Sequence, residues 1–375
     1  MPNNTRPRRE NRRVFHDPAT GREVWQMTGA DGNNVAPYMY AQAMTPDEEY
    51  LCFDSDRSSA WLPYRLEVAT GEVERLADFE NYRHLSLCMR PGSDEVMLAG
   101  DKRLWAVNMK TLERRVMVET EDRDDIVKLG GVCMADAKGE RIAFSYQDSE
   151  ERHYIAIAAT DGSMFETVFR REEAVQHVLI HPTRPDLISF AVSPDRQNDP
   201  NETHERRARA WLLDARTGHA RPHLVMPPGY RATHEYWSHD GSRMYFHKKT
   251  VGPGPGTQWI PTWINSIGLD DGDEREHFRS DDLYLGHSCA TRDGSRIVSD
   301  EQRPGGVNPL LDIDAKAGTA RVICWPNLLL GDGHCHVHPS LNPSERFVVY
   351  TSNVSGRAEV YMAPIDEKGA AAGRA

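Results

Sequence analysis

No stretch of this sequence repeats its apolar residues at the spacing of a helix, about 3.6 residues, over any useful length. A helical or mixed architecture is thereby disfavoured, and a fold built from strands is expected. Apolar runs are short throughout. None is long enough to cross a bilayer, and residues 1–20 contain none that would serve as a secretory leader, so a soluble cytoplasmic protein is expected. Cysteine is sparse. Cys52, Cys88, Cys133, Cys289, Cys324 and Cys335 are scattered without a C-x-x-C pair, which excludes a zinc knuckle or a disulfide framework and suggests reduced, mostly buried thiols. Basic residues are outnumbered, 45 against 57 acidic ones, and the net charge of −12 excludes the broad basic footprint of a nucleic-acid binder. A G-x-S-x-G elbow, a P-loop and a dinucleotide-binding fingerprint are also missing.

What the sequence does contain is repetition. A short apolar stretch, a turn rich in Pro, Asp and Gly, and a second β-rich run recur from one end to the other. The residues before the turns are Pro46, Pro91, Asp136, Pro182, His239, Arg292 and Pro343, at intervals of 45, 45, 46, 57, 53 and 51 residues. Further hairpins follow most of these pivots, with Gly, Asp and Asn in their turns, as in LEVATGEVERL and LDIDAKAGTARVI. This is the spacing of four-stranded propeller blades. The seventh unit stops one strand short, after EVYMAPID, while Glu23–Met27 is a spare strand ahead of the first pivot.

The expectation is one all-β domain, a seven-bladed β-propeller over residues 21–366. Its ring would be closed by the N-terminal strand pairing as the outer strand of the last blade. Residues 1–20, with Arg6, Arg8, Arg9, Arg12 and Arg13, are expected to be a flexible basic arm, and 367–375 a tail.

Histidines fall in phase with this repeat. Five residues before the pivots stand Ala41, Ser86, Gly131, His177, His234, His287 and His338. With 16 histidines among 375 residues, chance would place about 0.3 there, and four are found. In such a blade the strand before the turn lines the central channel, so these imidazoles should gather at one end of it. His336 and His84 lie two residues further back on the same face. The segment Asp332-Gly333-His334-Cys335-His336-Val337-His338 alternates three histidines, and on a strand alternate side chains share a face. His336 and His338 with His287 from the next blade would leave coordination positions open for water or substrate, and His334 is a candidate fourth ligand. His234, one blade away, suits a general base. Arg209 is placed to pair with a carboxylate.

THEYWSHDGS (233–242), GHSCATRDGS (286–295), HVHPSLNPSERFVVYTS (336–352), ARAWLLDARTG (208–218) and GREVWQMTG (21–29) resemble the oligogalacturonate lyases, in blade order along nearly the whole chain. The resemblance implies a seven-bladed propeller holding manganese that cleaves short galacturonate oligomers by β-elimination in the cytoplasm. It implies His287, His336 and His338 as metal ligands, His234 as base and Arg209 as catalytic-site arginine. The family's glutamine ligand, three residues before the first histidine of the pair, is matched here by Gly333, with His334 beside it as a substitute.

The chemistry expected is proton removal from C5 of a uronic acid with loss of the oxygen on C4. A divalent metal, manganese by resemblance, would serve the carboxylate. His177, His84, Tyr40 and Arg209 are expected to contact the substrate, a small acidic oligosaccharide, and the protein to be a monomer or small homo-oligomer without nucleic-acid or membrane partners. Two alternatives stay open. One is an eliminase for another acidified sugar, such as a 3-keto-glycoside. The other is a non-enzymatic binding propeller, which would hold no stoichiometric metal.

Overall fold

A computed structural model of the chain describes residues 8–10, 12–29, 32–131, 133–193, 201–251, 260–302, 308–326 and 336–366. Their strands form seven antiparallel sheets, the blades of a β-propeller, and no helix. In blades two, four, five and six the strands run outward in chain order. Blade five, for example, comprises Tyr230–Trp237, Arg243–Thr250, Thr262–Gly268 and Glu274–Ser280. The innermost strands of the other six blades are Asn34–Val35, Cys88–Met89, Met134–Ala135, Val175–Ile180, Leu285–Ala290 and Ser340–Leu341. Each precedes one of the pivots.

The turn chemistry explains the repeat. In THEYWSHDGS, Asp240 Oδ1 accepts from Ser238 Oγ (2.7 Å) and from the Ser242 amide (3.0 Å), folding the side chain over its own turn. Gly241 takes a φ of +72°, which a residue with a Cβ adopts at a cost. A Cβ there would also stand 2.2 Å from the ring of His181, whose Nε2–H donates to the Gly241 carbonyl, so this turn locks blade four to blade five. Asp293 repeats the arrangement in blade six with Thr291 and Ser295.

The core lies between blades. Met97 and Leu104 of blade two pack on Ile142 and Phe144 of blade three, and each later interface repeats the pattern with new side chains. Each such buried side chain contributes about 1.5–3 kcal/mol, which holds neighbouring sheets face to face, with hydrogen bonds such as His181–Gly241 added between them.

The ring closes through the N-terminal segment. Glu23–Gln26 pairs with Glu359–Pro364, Trp25 lying opposite Met362 and Gln26 opposite Tyr361, and the Trp25 ring packs 4.7 Å from that of Phe347. The expected strand is therefore present, but it is not outermost. Arg13–His16 lies beyond it as a fifth strand, and Arg8–Arg9 adds to the edge of blade one beside Glu72–Arg75.

Part of the arm expected to be flexible is thus sheet, and Glu10 gives the physical reason. Its carboxylate meets Arg57 at 2.6 Å with both side chains almost fully buried, and its other oxygen accepts from the Gly29 amide. That partner lies 47 residues away, where the charge pattern of the arm does not reveal it. Residues 367–375 lie outside the described residues.

Candidate active site

Four histidines stand in blade order around one end of the channel: His177, His234, His287 and His338. Their ring centroids are separated by 6.2, 4.3 and 4.4 Å in turn. Tyr38, from the segment before the first pivot, sits among them, 4.7 Å from His338 and 5.8 Å from both His177 and His287. The phase of the repeat thus brings together side chains up to 161 residues apart.

The inner strands do not present them by simple alternation. In blades four, five and six the ladder skips at the histidine, from Gln176 to Leu179, from Thr233 to Tyr236 and from Leu285 to Ser288. Such bulges re-aim side chains. His177, His234 and His338 take φ values of 44°, 57° and 44°, left-handed backbone that is strained for any residue with a Cβ. The strand expected through His336 and His338 begins only at Ser340. Pro339 has no N–H to give a ladder, and the histidine pair lies in loop before it.

His287, His336 and His338 nevertheless converge, with one nitrogen of each within 4.8 Å of the others. His287 is oriented from behind: its Nδ1–H donates to Asp300 Oδ2 at 2.9 Å, and its backbone amide to Asp300 Oδ1, which leaves Nε2 as a lone pair. Burial, then the neighbouring histidines, pulls His287 and His338 well below the usual imidazole range and keeps them neutral, as ligands must be. Neutral imidazoles with a carboxylate behind one of them fit a borderline divalent cation such as manganese, iron, cobalt, nickel or zinc. His334 lies outside the described residues.

His234 is next to this triad and outside it. Its Nδ1 lies 2.6 Å from the Gly286 carbonyl, which can only accept, so Nδ1 carries the proton and Nε2 is free. Burial first, then His287 and Lys249, pulls it well below the usual range. It is a neutral imidazole in one fixed tautomer.

Arg209 does pair with a carboxylate, one that belongs to the protein itself. Its Nε and Nη2 donate to Glu235 at 2.6 and 3.1 Å, its Nη1 donates to the Val192 carbonyl, and it is buried. Glu235 also accepts from His177 Nδ1–H at 3.0 Å, which turns His177 Nε2 toward the Tyr38 hydroxyl, 3.4 Å away. Although burial pushes the Glu235 carboxyl up, Arg209 and His177 hold it well below the usual carboxylate range. The guanidinium is thus already bound to a carboxylate of the protein itself.

His84 Nδ1 sits 2.9 Å from Asp54, and its ring stacks on Trp61 at 4.1 Å. Tyr40 lies behind Tyr38, at 4.7 Å, and lines a cavity of about 670 Å³ with Met134, Leu179 and Tyr236. That cavity opens among the pivots, at the end of the inner strands away from the histidines. Tyr40 thus stands between that cavity and the histidines, its ring also 6.1 Å from that of His177.

Sequence reasoning missed Tyr38, Glu235, Asp300, Gln302 and Lys249. Only Glu235, inside a motif beside His234, carried a signal. Lys249 is almost fully buried, with Nζ 4.1 Å from the Tyr284 ring centroid. Burial pulls its ammonium down to about 7 against the opposing charge of Asp300.

Fold and side chains together define a seven-bladed β-propeller with an imidazole-rich, metal-type site at one end of its channel. No family model matches the chain. It is similar to an oligogalacturonide lyase of Pectobacterium atrosepticum (23% identical) and an oligogalacturonate lyase of Dickeya dadantii (21%), each match covering 94% of this chain and 96% of the relative. Two solved structures, an oligogalacturonate lyase in complex with manganese and one from Vibrio parahaemolyticus, superpose with a TM-score of 0.82 at 19% identity, over 97% of this chain and 99% of theirs. At that identity the structural likeness speaks for the fold. The sequence matches add a similarity to oligogalacturonate lyases that runs along nearly the whole chain.

Proposed function

We propose that this chain is a metal-dependent lyase that cleaves short uronic-acid oligomers of the oligogalacturonide kind by β-elimination, in the cytoplasm. The observation that carries the reading is His234: a neutral, tautomer-fixed imidazole whose ring lies 4.3 Å from a histidine of the metal-type triad. That is the pairing that removal of a proton beside a carboxylate requires.

His287, His336 and His338 would hold the cation, and manganese is the metal expected from the similar enzyme that binds it. When bound, a divalent cation acts as a Lewis acid toward the uronate carboxylate, offsetting the negative charge that develops there in the transition state. His234 Nε2 takes the proton from C5. The electron pair of that bond becomes the C4–C5 double bond, and the C4–O bond breaks. The glycosidic oxygen leaves with the pair and is protonated from solvent. Gly286 accepts from Nδ1–H throughout and stabilises the imidazolium that forms. Arg209 acts through Glu235, holding the strand beside His234 and orienting His177 toward the site. His177 Nε2 and the Tyr38 hydroxyl are the polar groups left to meet sugar hydroxyls.

The test is a screen of the manganese-loaded protein against di- and trigalacturonate and other oligouronides, following the ultraviolet absorbance of the conjugated product. A 4,5-unsaturated uronate from oligogalacturonides supports the reading. Absence of that product across the series overturns it.

A further inference from the structure

We propose that Gln302 supplies a fourth protein ligand to the cation, through its side-chain carbonyl oxygen. The proposal rests on the reading of His287, His336 and His338 as a cation site and adds a residue from outside the histidine motif. The Gln302 carboxamide nitrogen lies 3.2 Å from His336 Nδ1 and 3.0 and 3.3 Å from Nδ1 and Nε2 of His287, so the amide end touches two of the three imidazoles. The two ends of a carboxamide are nearly the same size. A half-turn of the amide therefore exchanges a donor toward His287 Nε2 and His336 Nδ1 for an acceptor that faces a cation beside them. Neighbouring ligands at about 2.1 Å from an octahedral ion stand about 3 Å apart, which is the spacing already present between Gln302 and both rings.

A second observation points the same way. A Cβ on Gly286 would stand 2.1 Å from Gln302 Cγ and 2.4 Å from its Cδ, so a glycine immediately before His287 leaves the room in which this side chain lies. The backbone is also fixed, because the Gln302 amide donates to the Tyr284 carbonyl at 2.8 Å and continues the ladder of Arg296–Glu301 beside Leu285–Ala290. Glutamine is thus presented from just past the end of the second strand of blade six, next to the strand that carries His287. Three imidazoles and a carboxamide add no charge of their own. Such a set would leave the cation's full charge to act on the substrate carboxylate.

The test uses the full chain, freed of metal and titrated with Mn2+ while free Mn2+ is read by electron paramagnetic resonance. Gln302→Ala should weaken Mn2+ binding about tenfold or more, Gln302→Glu should bind at least as tightly as the parent, and Gly286→Ala should weaken it as Gln302→Ala does. His287→Ala separates the two readings. If it binds Mn2+ as the parent does, the triad is not the site and both readings fall. If it loses Mn2+ while Gln302→Ala binds unchanged, only the role of Gln302 is overturned. A crystal structure of the unmutated chain with Mn2+ decides the matter even if a variant fails to fold. Gln302 Oε1 at bonding distance supports the proposal, and water or another side chain in that position contradicts it.

Discussion

His177, His234 and His338 hold left-handed backbone, at a cost of the order of 1–3 kcal/mol each. Strain of this kind persists where packing and hydrogen bonds over-determine the geometry, and here Gly286, Glu235 and Tyr38 do so. Glu235 is the centre of that network, gripping Arg209 and His177 together while almost fully buried. Glu235→Ala would leave the Arg209 guanidinium buried without a counter-charge, so unfolding in urea should reveal a loss of about 3–5 kcal/mol. A loss within about 0.5 kcal/mol, the range of surface substitutions, would mean that the pair is a bystander.

At the scale of elements, the N-terminal strands and blade seven meet at Glu359. It accepts from Thr28 Oγ1 (2.6 Å) and Asn34 Nδ2 (2.8 Å), with Glu10 and Arg357 the charged groups nearby. Burial, with Glu10 adding, pushes its carboxyl up to about 7 from 4.5. The folded state therefore holds the proton that the unfolded state releases. Stability from this group is full below the unfolded value and is lost as pH rises through the folded one. Glu359→Gln copies the protonated form, so the melting temperature of the variant relative to the parent should rise between about pH 5 and about pH 8. An equal difference at both values would show that Glu359 is already ionised in the closed ring.

These elements also mark what was legible in the sequence. Turn chemistry at Asp240 and Asp293 recurs locally, so the blades and the phase of His177, His234, His287 and His338 could be read from spacing alone. Bulges could not, because they arise from packing between strands, and the strand assumed through His336 and His338 is loop. Asp300 on the second strand and Gln302 just past its end meet His287 only across the ladder, a relation that no motif spacing records. Arg209 was found by motif, but its partner Glu235 is a tertiary fact.

For the whole molecule, closure is shared between two blades. The first and last parts of the chain pair in blade seven, while Arg8, Arg9 and Glu10 tie onto blade one. Deleting residues 1–12 would remove Glu10 and strand Arg57 in the interior. A drop in stability of about 3 kcal/mol or more is expected, seen as a lower melting temperature. A truncated chain that melts with the parent would show that the arm is dispensable to the ring.

The proposed elimination requires His234 to be the base and not a ligand. The direct measurement compares His234→Ala with the parent for bound manganese per chain and for unsaturated product formed from trigalacturonate. The variant should bind manganese as the parent does and lose about 10²–10⁴-fold in turnover. Turnover at the parent rate, or loss of manganese equal to that of His287→Ala, would contradict it.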